Sequence, residues 1–198
     1  RLSKMSSTEE VVQSDTFKKW FKGSKVKGEG GKPLVVYHGG TKDFDKFNIM
    51  SYFSPESFVA GFYARDHRGV FRKDPGTHQG GQVYPVYLSL KNPLIIGEEF
   101  DLGDKTSFDE FIFVIEDMIG DKLSPGEVED IYVSARDRTS DRWGSGEDVK
   151  EAMEDQELYH FIDGNLHLQG ALQDRGYDSI IAEEGVIEGI SGTVYITF

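Results

Sequence analysis

The spacing of apolar residues predicts a mixture of helices and strands in the first half of the chain. Aromatic residues recur at helical spacing in 15–21, where either Ser14 or Asp15 can cap a helix and Gly23 can end it. A β-branched run, LVVY at 34–37, predicts a buried strand that ends at the following histidine. The pair YF at 52–53 predicts another strand, followed by a helix that begins at Pro55. Further strand signals fill VYPVYLSLKNPLII at 83–96.

From residue 106 onward the apolar spacing becomes helical. A polar loop is expected at 136–148, and the chain ends with two strand-like runs, 177–182 and 193–198, which the loop EEGVIEGISG joins. Four helices are predicted before these strands, over 107–119, 124–135, 147–162 and 166–175. Capping boxes begin the first two, Ser107 with Glu110 and Ser124 with Glu127, and Gly176 is expected to end the fourth.

A length of 198 residues with 37% hydrophobic residues suits one globular domain with a sizeable core. Residues 1–13 are polar, and we interpret them as a mobile or vector-derived N-terminus, with a single domain over 14–198. No run approaches the roughly 18 consecutive apolar residues of a membrane span. The chain has no cysteine, which excludes disulfides and thiolate chemistry and favours a cytoplasmic location.

Negative charge is concentrated in the predicted helical stretch. The net charge is −13, yet residues 98–157 alone hold 20 acidic against 6 basic residues, a balance of −14. Such a block repels nucleic-acid backbones, so a duplex-binding protein is disfavoured. It is either the solvated face of several helices or a contact surface for a basic partner.

The common catalytic and cofactor motifs are absent from this sequence. No Gly-x-Ser-x-Gly segment and no cysteine offers a nucleophile. The glycines at 28, 30 and 31 do not follow a strand, and no Gly-Lys-Ser/Thr closes a phosphate loop. The histidines lack the close spacing with carboxylates that a metal site needs, so no metal is expected.

One histidine is distinguished by its neighbours. His38 follows the predicted strand and precedes Gly39 and Gly40, whose bare main chain can approach a flat carboxamide. These residues alone leave two interpretations open, a ligand cradle or a strand-end histidine in a tight turn. A second motif, YFSPESFVAGFY at 52–63, bears on the choice.

Together, YHGG at 37–40 and YFSPESFVAGFY at 52–63 resemble the catalytic core of the ADP-ribosyltransferase superfamily. The resemblance is to the His-Tyr-Glu branch, which includes diphtheria-toxin-like and poly(ADP-ribose) polymerase-like enzymes. In that branch a His-Gly pair ends the first core strand, and two tyrosines are spaced eleven residues apart, as Tyr52 and Tyr63 are here. Other segments, including GKPLVVYHGGTKDFDKF and RGYDSIIAEE with TVYITF, are similar to phage and prophage polyvalent or MuF-type transferase domains.

The resemblance implies an α+β fold, with an ADP-ribosyltransferase-like split β-sheet core and an inserted acidic helical subdomain at about 106–169. It also implies NAD as the substrate. His38 would hydrogen-bond the adenosine-side ribose, main-chain groups of Gly39 would pair with the nicotinamide amide, and two tyrosines would sandwich the nicotinamide ring. The implied NAD-binding residues are His38, Gly39, Gly40, Thr41, Tyr52, Phe53 and Tyr63, and the implied catalytic residues are His38, Tyr52 and Glu188.

Two substrate-contact positions depart from the family pattern. Ala60 stands where a serine is usual. Gly40 stands where a small hydroxyl residue is usual, with Thr41 one place late. Contacts to the substrate are therefore expected to be fewer than in other members.

The expected catalytic glutamate is also displaced. It usually precedes the Tyr-Ile/Val of the last strand directly, a position that Val194 holds here. Three carboxylates lie just upstream, in what we expect to be the hairpin loop. Glu188 is favoured because it is nearest the strand, and Glu183 and Glu184 are the alternatives.

The leading interpretation is a mono-ADP-ribosyltransferase that cleaves NAD at the nicotinamide–ribose bond and transfers ADP-ribose to a macromolecular acceptor. A protein acceptor is favoured over nucleic acid, and polymer synthesis is disfavoured because Val194 replaces the usual glutamate. The resemblance implies a phage-delivered effector or toxin in a bacterial host cell. Two alternatives stay open: a weakened module that binds NAD or a protein partner, and an NAD glycohydrolase.

Overall fold

The protein is an α+β protein whose contacts group its residues into two units, one formed by Arg1–Phe47 and Tyr52–Pro93 and the other by Asn48–Ser51 and Leu94–Phe198. The structure is a computed structural model, and it describes residues 8–40, 46–47, 51–64, 81–97, 108–143, 165–187 and 190–198. The helices within these ranges are α1 Thr8–Gln13, α2 Asp15–Phe21, α3 Ser57–Ala64, α4 Phe108–Ile119, α5 Pro125–Trp143 and α6 Leu166–Asp174. The strands are β1 Val36–Gly40, β2 Tyr52–Phe53, β3 Gln82–Val86, β4 Pro93–Ile96, β5 Ser179–Ile187 and β6 Ile190–Thr197.

The first unit contains an antiparallel ribbon of β1 and β3. Its register pairs Val36 with Val86 and Gly40 with Gln82. On its other edge β1 meets Ser54 through a reciprocal pair of main-chain hydrogen bonds with Tyr37, at 2.8 and 3.0 Å. Helix α3 packs on this ribbon, which fixes the residues that follow β2.

Helix α2 begins and ends as its sequence predicts. Ser14 caps it, with its hydroxyl oxygen accepting the N–H of Phe17 at 3.2 Å, and Gly23 follows its end at a φ of 87°. Its aromatic face packs on the segment after β3, where Phe17 meets Tyr87 edge-on with ring centres 5.1 Å apart.

The second unit packs α4, α5 and α6 around an apolar core. The predicted capping box of α5 is confirmed, because Ser124 and Glu127 each bind the other's main-chain N–H through a side-chain oxygen, at 3.3 and 2.7 Å. Helix α6 is capped by Asn165 and followed by Gly176 at a φ of 88°. Strand β5 lies between β4 and β6. Among the described residues, the largest fully buried side chains of this unit are Phe111, Ile115, Ile131, Leu168, Leu172, Ile180 and Ile196.

Two features of the first unit were not expected from the sequence. Helix α1 lies inside residues 1–13, which the sequence analysis set outside the domain; there Ser14 donates its N–H and its hydroxyl to the carbonyl of Val11 at 3.1 and 2.7 Å. Helix α3 begins at Ser57 rather than Pro55, because the Ser54 hydroxyl accepts the N–H of Glu56 and holds a turn there.

Two predicted loops in the second unit are wrong. The polar stretch after residue 135 continues α5 to Trp143, since no glycine or proline interrupts the sequence before Gly144. The loop predicted at 183–192 is instead mostly strand, because the β-branched residues at 186, 187 and 190 extend the hairpin until Ile187 pairs with Ile190. The helix predicted at 147–162 lies outside the described residues, and the extent of the proposed insertion stays a prediction.

Arg175 joins three parts of the second unit. Its guanidinium donates hydrogen bonds to both carboxylate oxygens of Glu127 at 2.6 and 3.2 Å and to Asp121 at 3.1 Å. It also donates to the main-chain carbonyls of Ala171 and Lys122, both at 2.9 Å. Hydrogen bonding from Arg175, and after it hydrogen bonding with Ser124, lowers the pKa of Glu127 from 4.5 to about 2. The side chain therefore connects the start of α5, the turn before it and the end of α6.

We predict that Glu127→Gln reduces the acid sensitivity of the fold. A carboxylate whose pKa is lowered on folding stabilises the protein above its unfolded pKa of 4.5, and this stabilisation is lost as the pH falls toward 2. Thermal unfolding midpoints measured from pH 6 to 2.5 should fall less in Glu127→Gln than in the wild type. Glu129→Gln, an exposed glutamate on the same helix, is the control. Equal slopes in all three proteins would contradict the assignment.

Candidate functional site

A hydrogen bond from a histidine to a main-chain carbonyl joins the two sequence motifs. His38 lies within β1 rather than at its end, and its Nδ1 lies 2.8 Å from the carbonyl oxygen of Tyr52 in β2. A carbonyl oxygen can only accept, so Nδ1 carries the proton and donates. In the neutral imidazole the lone pair is then on Nε2, which can accept a hydrogen bond from a hydroxyl group.

Two phenylalanine rings hold the imidazole of His38. Phe47 packs edge-on against it with ring centres 5.2 Å apart, and Phe53 lies 5.4 Å away. The two phenyl rings are themselves 5.1 Å apart. Phe53 is buried, whereas Phe47 is 40% exposed and forms an outer wall of the cluster. Sequence analysis assigned no role to Phe47; its only signal was its place in the family-like segment TKDFDKF.

The main-chain groups of Gly39 point to the edge of the ribbon that carries Tyr52. In a β-strand the N–H and C=O of one residue point to the same side, and the side alternates along the chain. Tyr37 uses its groups to bind Ser54, on the edge away from β3. Gly39, two residues later, therefore directs its N–H and C=O to that same edge. Pro85 pairs with Tyr37, and the main-chain groups of Tyr37 point away from β3. The missing N–H of the proline therefore costs the ribbon no hydrogen bond.

Helix α3 explains why residue 39 is a glycine. A Cβ at this position would lie 1.9 Å from the carbonyl oxygen of Ala60 and 2.9 Å from the main-chain nitrogen of Ala64. The sequence analysis attributed the missing side chain to ligand approach. The structure adds a packing requirement, because the helix backbone occupies the place of the side chain.

The remaining tyrosine of the predicted site lies on α3. Tyr63 is 38% exposed, and the next residue, Ala64, is buried against the ribbon. Ala60, at the position of the usual serine, is buried and has no side-chain donor to offer a ligand. The structure thus brings His38, Tyr52 and Phe53 together directly and attaches the segment that carries Tyr63 to the same ribbon.

The predicted acidic residue is not located by the structure. Glu188 and Thr41 both lie outside the described residues. Residues 183 and 184 belong to β5 rather than to a loop, at a register shift where two residues of β5 face the single residue 193 of β6. Val194, which holds the usual glutamate position, is buried and pairs with Ala182.

Two absences hold for the part of the chain that the structure describes. No group of three histidine or acidic residues there could hold a metal ion. No described helix is long and apolar enough to cross a lipid bilayer.

Comparison with known families matches residues 28–198 to the family described as ADP-ribosyltransferase in polyvalent proteins. No curated protein and no solved structure is matched by the chain. Because the match includes both motifs around His38 and both strands of the final hairpin, this chain belongs to the family of polyvalent-protein ADP-ribosyltransferases. The family indicates ADP-ribosyl transfer, and ADP-ribosyltransferases use NAD as the substrate.

We predict that the neutral His38 ring is protonated at Nδ1. Long-range proton–nitrogen correlation spectra at high pH should show a protonated Nδ1 and an unprotonated Nε2 for His38, because the Tyr52 carbonyl fixes the proton. His167, an exposed histidine on α6, is the comparison ring. A His38 spectrum with the proton on Nε2 would contradict the hydrogen bond.

Proposed function

We propose that the protein is a mono-ADP-ribosyltransferase that cleaves NAD and transfers ADP-ribose to a protein acceptor. The observation that supports this most directly is the hydrogen bond between His38 and the carbonyl of Tyr52, since it places the two motifs of the family side by side. Within the described residues the strands fall into two sheets, which supports a split-sheet core, and we propose the helices between β4 and β5 as an insertion in that core.

His38 and Gly39 are proposed to recognise two separate parts of NAD, the adenosine-side ribose and the nicotinamide. Nε2 of His38 would accept a hydrogen bond from a hydroxyl of the adenosine-side ribose, since Nδ1 is committed as a donor to Tyr52. The N–H of Gly39 would donate to the carboxamide oxygen of nicotinamide, and its C=O would accept from the carboxamide nitrogen. This pairing orients the leaving group without any side chain.

Tyr52 and Tyr63 are proposed to enclose the nicotinamide ring. Stacked aromatic pairs contribute about 1 kcal/mol each beyond the area they bury. Tyr52 also supplies the carbonyl that orients His38, and this contact is independent of its phenol ring. Replacing the ring therefore tests stacking while the hydrogen bond to the imidazole is kept.

The proposed reaction breaks the bond between C1′ of the ribose and the nicotinamide nitrogen. Nicotinamide leaves as a neutral molecule, positive charge develops on the ribose, and a nucleophile of the acceptor then bonds to C1′ and loses its proton. A carboxylate near the ribose stabilises such a cation. We propose Glu188 for this role, with Glu183 and Glu184 as the alternatives.

A single transfer is proposed rather than polymer synthesis. Polymer synthesis usually goes with the glutamate position that Val194 holds, and Val194 is a buried aliphatic residue paired with Ala182. The same observation favours one second candidate, a module that binds NAD with little turnover.

We predict that the protein releases nicotinamide from NAD when a bacterial lysate supplies the acceptor. His38→Ala and Tyr52→Ala should each lower the rate by about 100-fold or more, because each removes an interaction that orients the reacting bond. His167→Ala, at an exposed site on α6, should retain the wild-type rate. Isotope-labelled NAD followed by separation of the lysate identifies the acceptor class.

The fate of the label distinguishes the candidate functions. Label in protein supports the proposal, whereas label in nucleic acid would show that nucleic acid is the acceptor. Nicotinamide release without any labelled macromolecule would indicate an NAD glycohydrolase. Binding of NAD without release of nicotinamide would indicate the binding module. The absence of both binding and release would contradict the proposed function.

We predict that Glu188→Ala lowers nicotinamide release by about 100-fold, as expected for the loss of a group that stabilises transition-state charge. Glu183→Ala and Glu184→Ala are the matched variants, since they remove the other two carboxylates of the same segment. Full activity in Glu188→Ala together with a loss in one of the other two variants would transfer the role to that residue.

A further inference from the structure

A second glycine is in close contact with α3, at a position to which the resemblance assigns no role. Gly81 directly precedes β3, and a Cβ built on it would lie 1.5 Å from the carbonyl oxygen of Ala64. It would also lie 2.9 Å from the α-carbon of the same alanine. Ordinary contact needs about 3.5 Å, so even a single methyl group at residue 81 requires a displacement of about 2 Å.

Gly81 and Gly39 face the helix from the same side of the ribbon. Gly39 pairs with Val83 across β1 and β3, so these two residues share a face. Gly81 is two residues from Val83 and therefore lies on that face as well. The two glycines contact Ala60 and Ala64, which are one helical turn apart and both buried.

The contacts at Gly39 and Gly81 position the helix through main-chain atoms. At both glycines the nearest atoms are backbone atoms of α3, and no flexible side chain lies between them that could adapt. The distance between helix and ribbon is therefore fixed at both points. Tyr63 lies next to Ala64 in this last turn of the helix, so the same contacts determine where its ring lies.

We propose that Gly81 is a positioning residue of the NAD site: with Gly39 it sets how closely α3 approaches the ribbon, and thereby where the Tyr63 ring meets the nicotinamide. This inference rests on the proposed function, because the ring matters only if the site binds NAD. Displacement of a substrate-contacting group by about 1 Å can cost a factor of about 100 in reaction rate. A protein in which a methyl group at residue 81 moves α3 away from the ribbon should therefore also bind NAD more weakly.

The test is a double-mutant comparison of Gly81→Ala and Tyr63→Ala. The affinity is measured for an NAD analogue in which a carbon–carbon bond replaces the cleavable bond, so that no turnover intervenes. Gly81→Ala should weaken binding about tenfold or more when Tyr63 is present, and by less than about twofold in the Tyr63→Ala background. With NAD itself, the KM should rise more than kcat falls.

Gly61→Ala is the matched control. Gly61 lies on the same helix, and a Cβ there has no atom within 4 Å, so the same chemical change adds no contact. It should bind the analogue as tightly as the wild type. Because alanine favours helix over glycine, its unfolding midpoint should stay equal or rise.

A second variant covers the case in which Gly81→Ala does not fold. Ala64→Val enlarges a buried side chain at the end of α3 and so crowds the packing of the helix, and it should cause a loss of affinity that again depends on Tyr63.

Each remaining outcome counts against the proposal. Unchanged binding in folded Gly81→Ala, or equal losses with and without Tyr63, would overturn it, as would a Gly81→Ala that fails to fold together with an Ala64→Val that binds normally. A wild-type protein that does not bind the analogue would contradict the proposed function instead.

Discussion

The hydrogen bond between the imidazole of His38 and the carbonyl of Tyr52 is the constraint on which the candidate site depends. It connects two segments that are fourteen residues apart, and it fixes both the tautomer of the ring and its orientation. Because the acceptor is a main-chain atom, any residue at position 52 could supply it. The tyrosine ring at that position therefore needs another explanation, and the contact with nicotinamide that we propose would provide one.

Main-chain geometry, more than side chains, shapes the rest of the site. The bond pair between Tyr37 and Ser54 determines which way Gly39 presents its N–H and C=O, and the helix behind Gly39 excludes any side chain there. Glycine at this position permits the close packing of α3, and under the proposed function it also leaves an open edge for a carboxamide. In the second unit the corresponding connector is a side chain, Arg175, which satisfies carboxylates and carbonyls from three segments.

Sequence reasoning succeeded where the determining contacts are local. The cap of α2 by Ser14, the capping box at Ser124 and Glu127, and the glycine after α6 all depend on residues within four positions of one another. It failed where a non-local pairing or the absence of a breaker decided the outcome. The hairpin of β5 and β6 is longer than predicted because each strand gives the other its hydrogen-bond partners, and α5 continues because nothing stops it.

By itself the sequence determined the mixture of helices and strands and the two motifs, since these follow from residue types at fixed spacing, and the resemblance of the motifs pointed to the family. Only the tertiary structure decided that Phe47 joins the histidine, that His38 is a donor through Nδ1, and that Gly39 and Gly81 face the same helix. These properties depend on strand register and on atoms brought together from distant segments. A pattern along the chain records neither, because it specifies which residues are present but not which backbone atoms they meet.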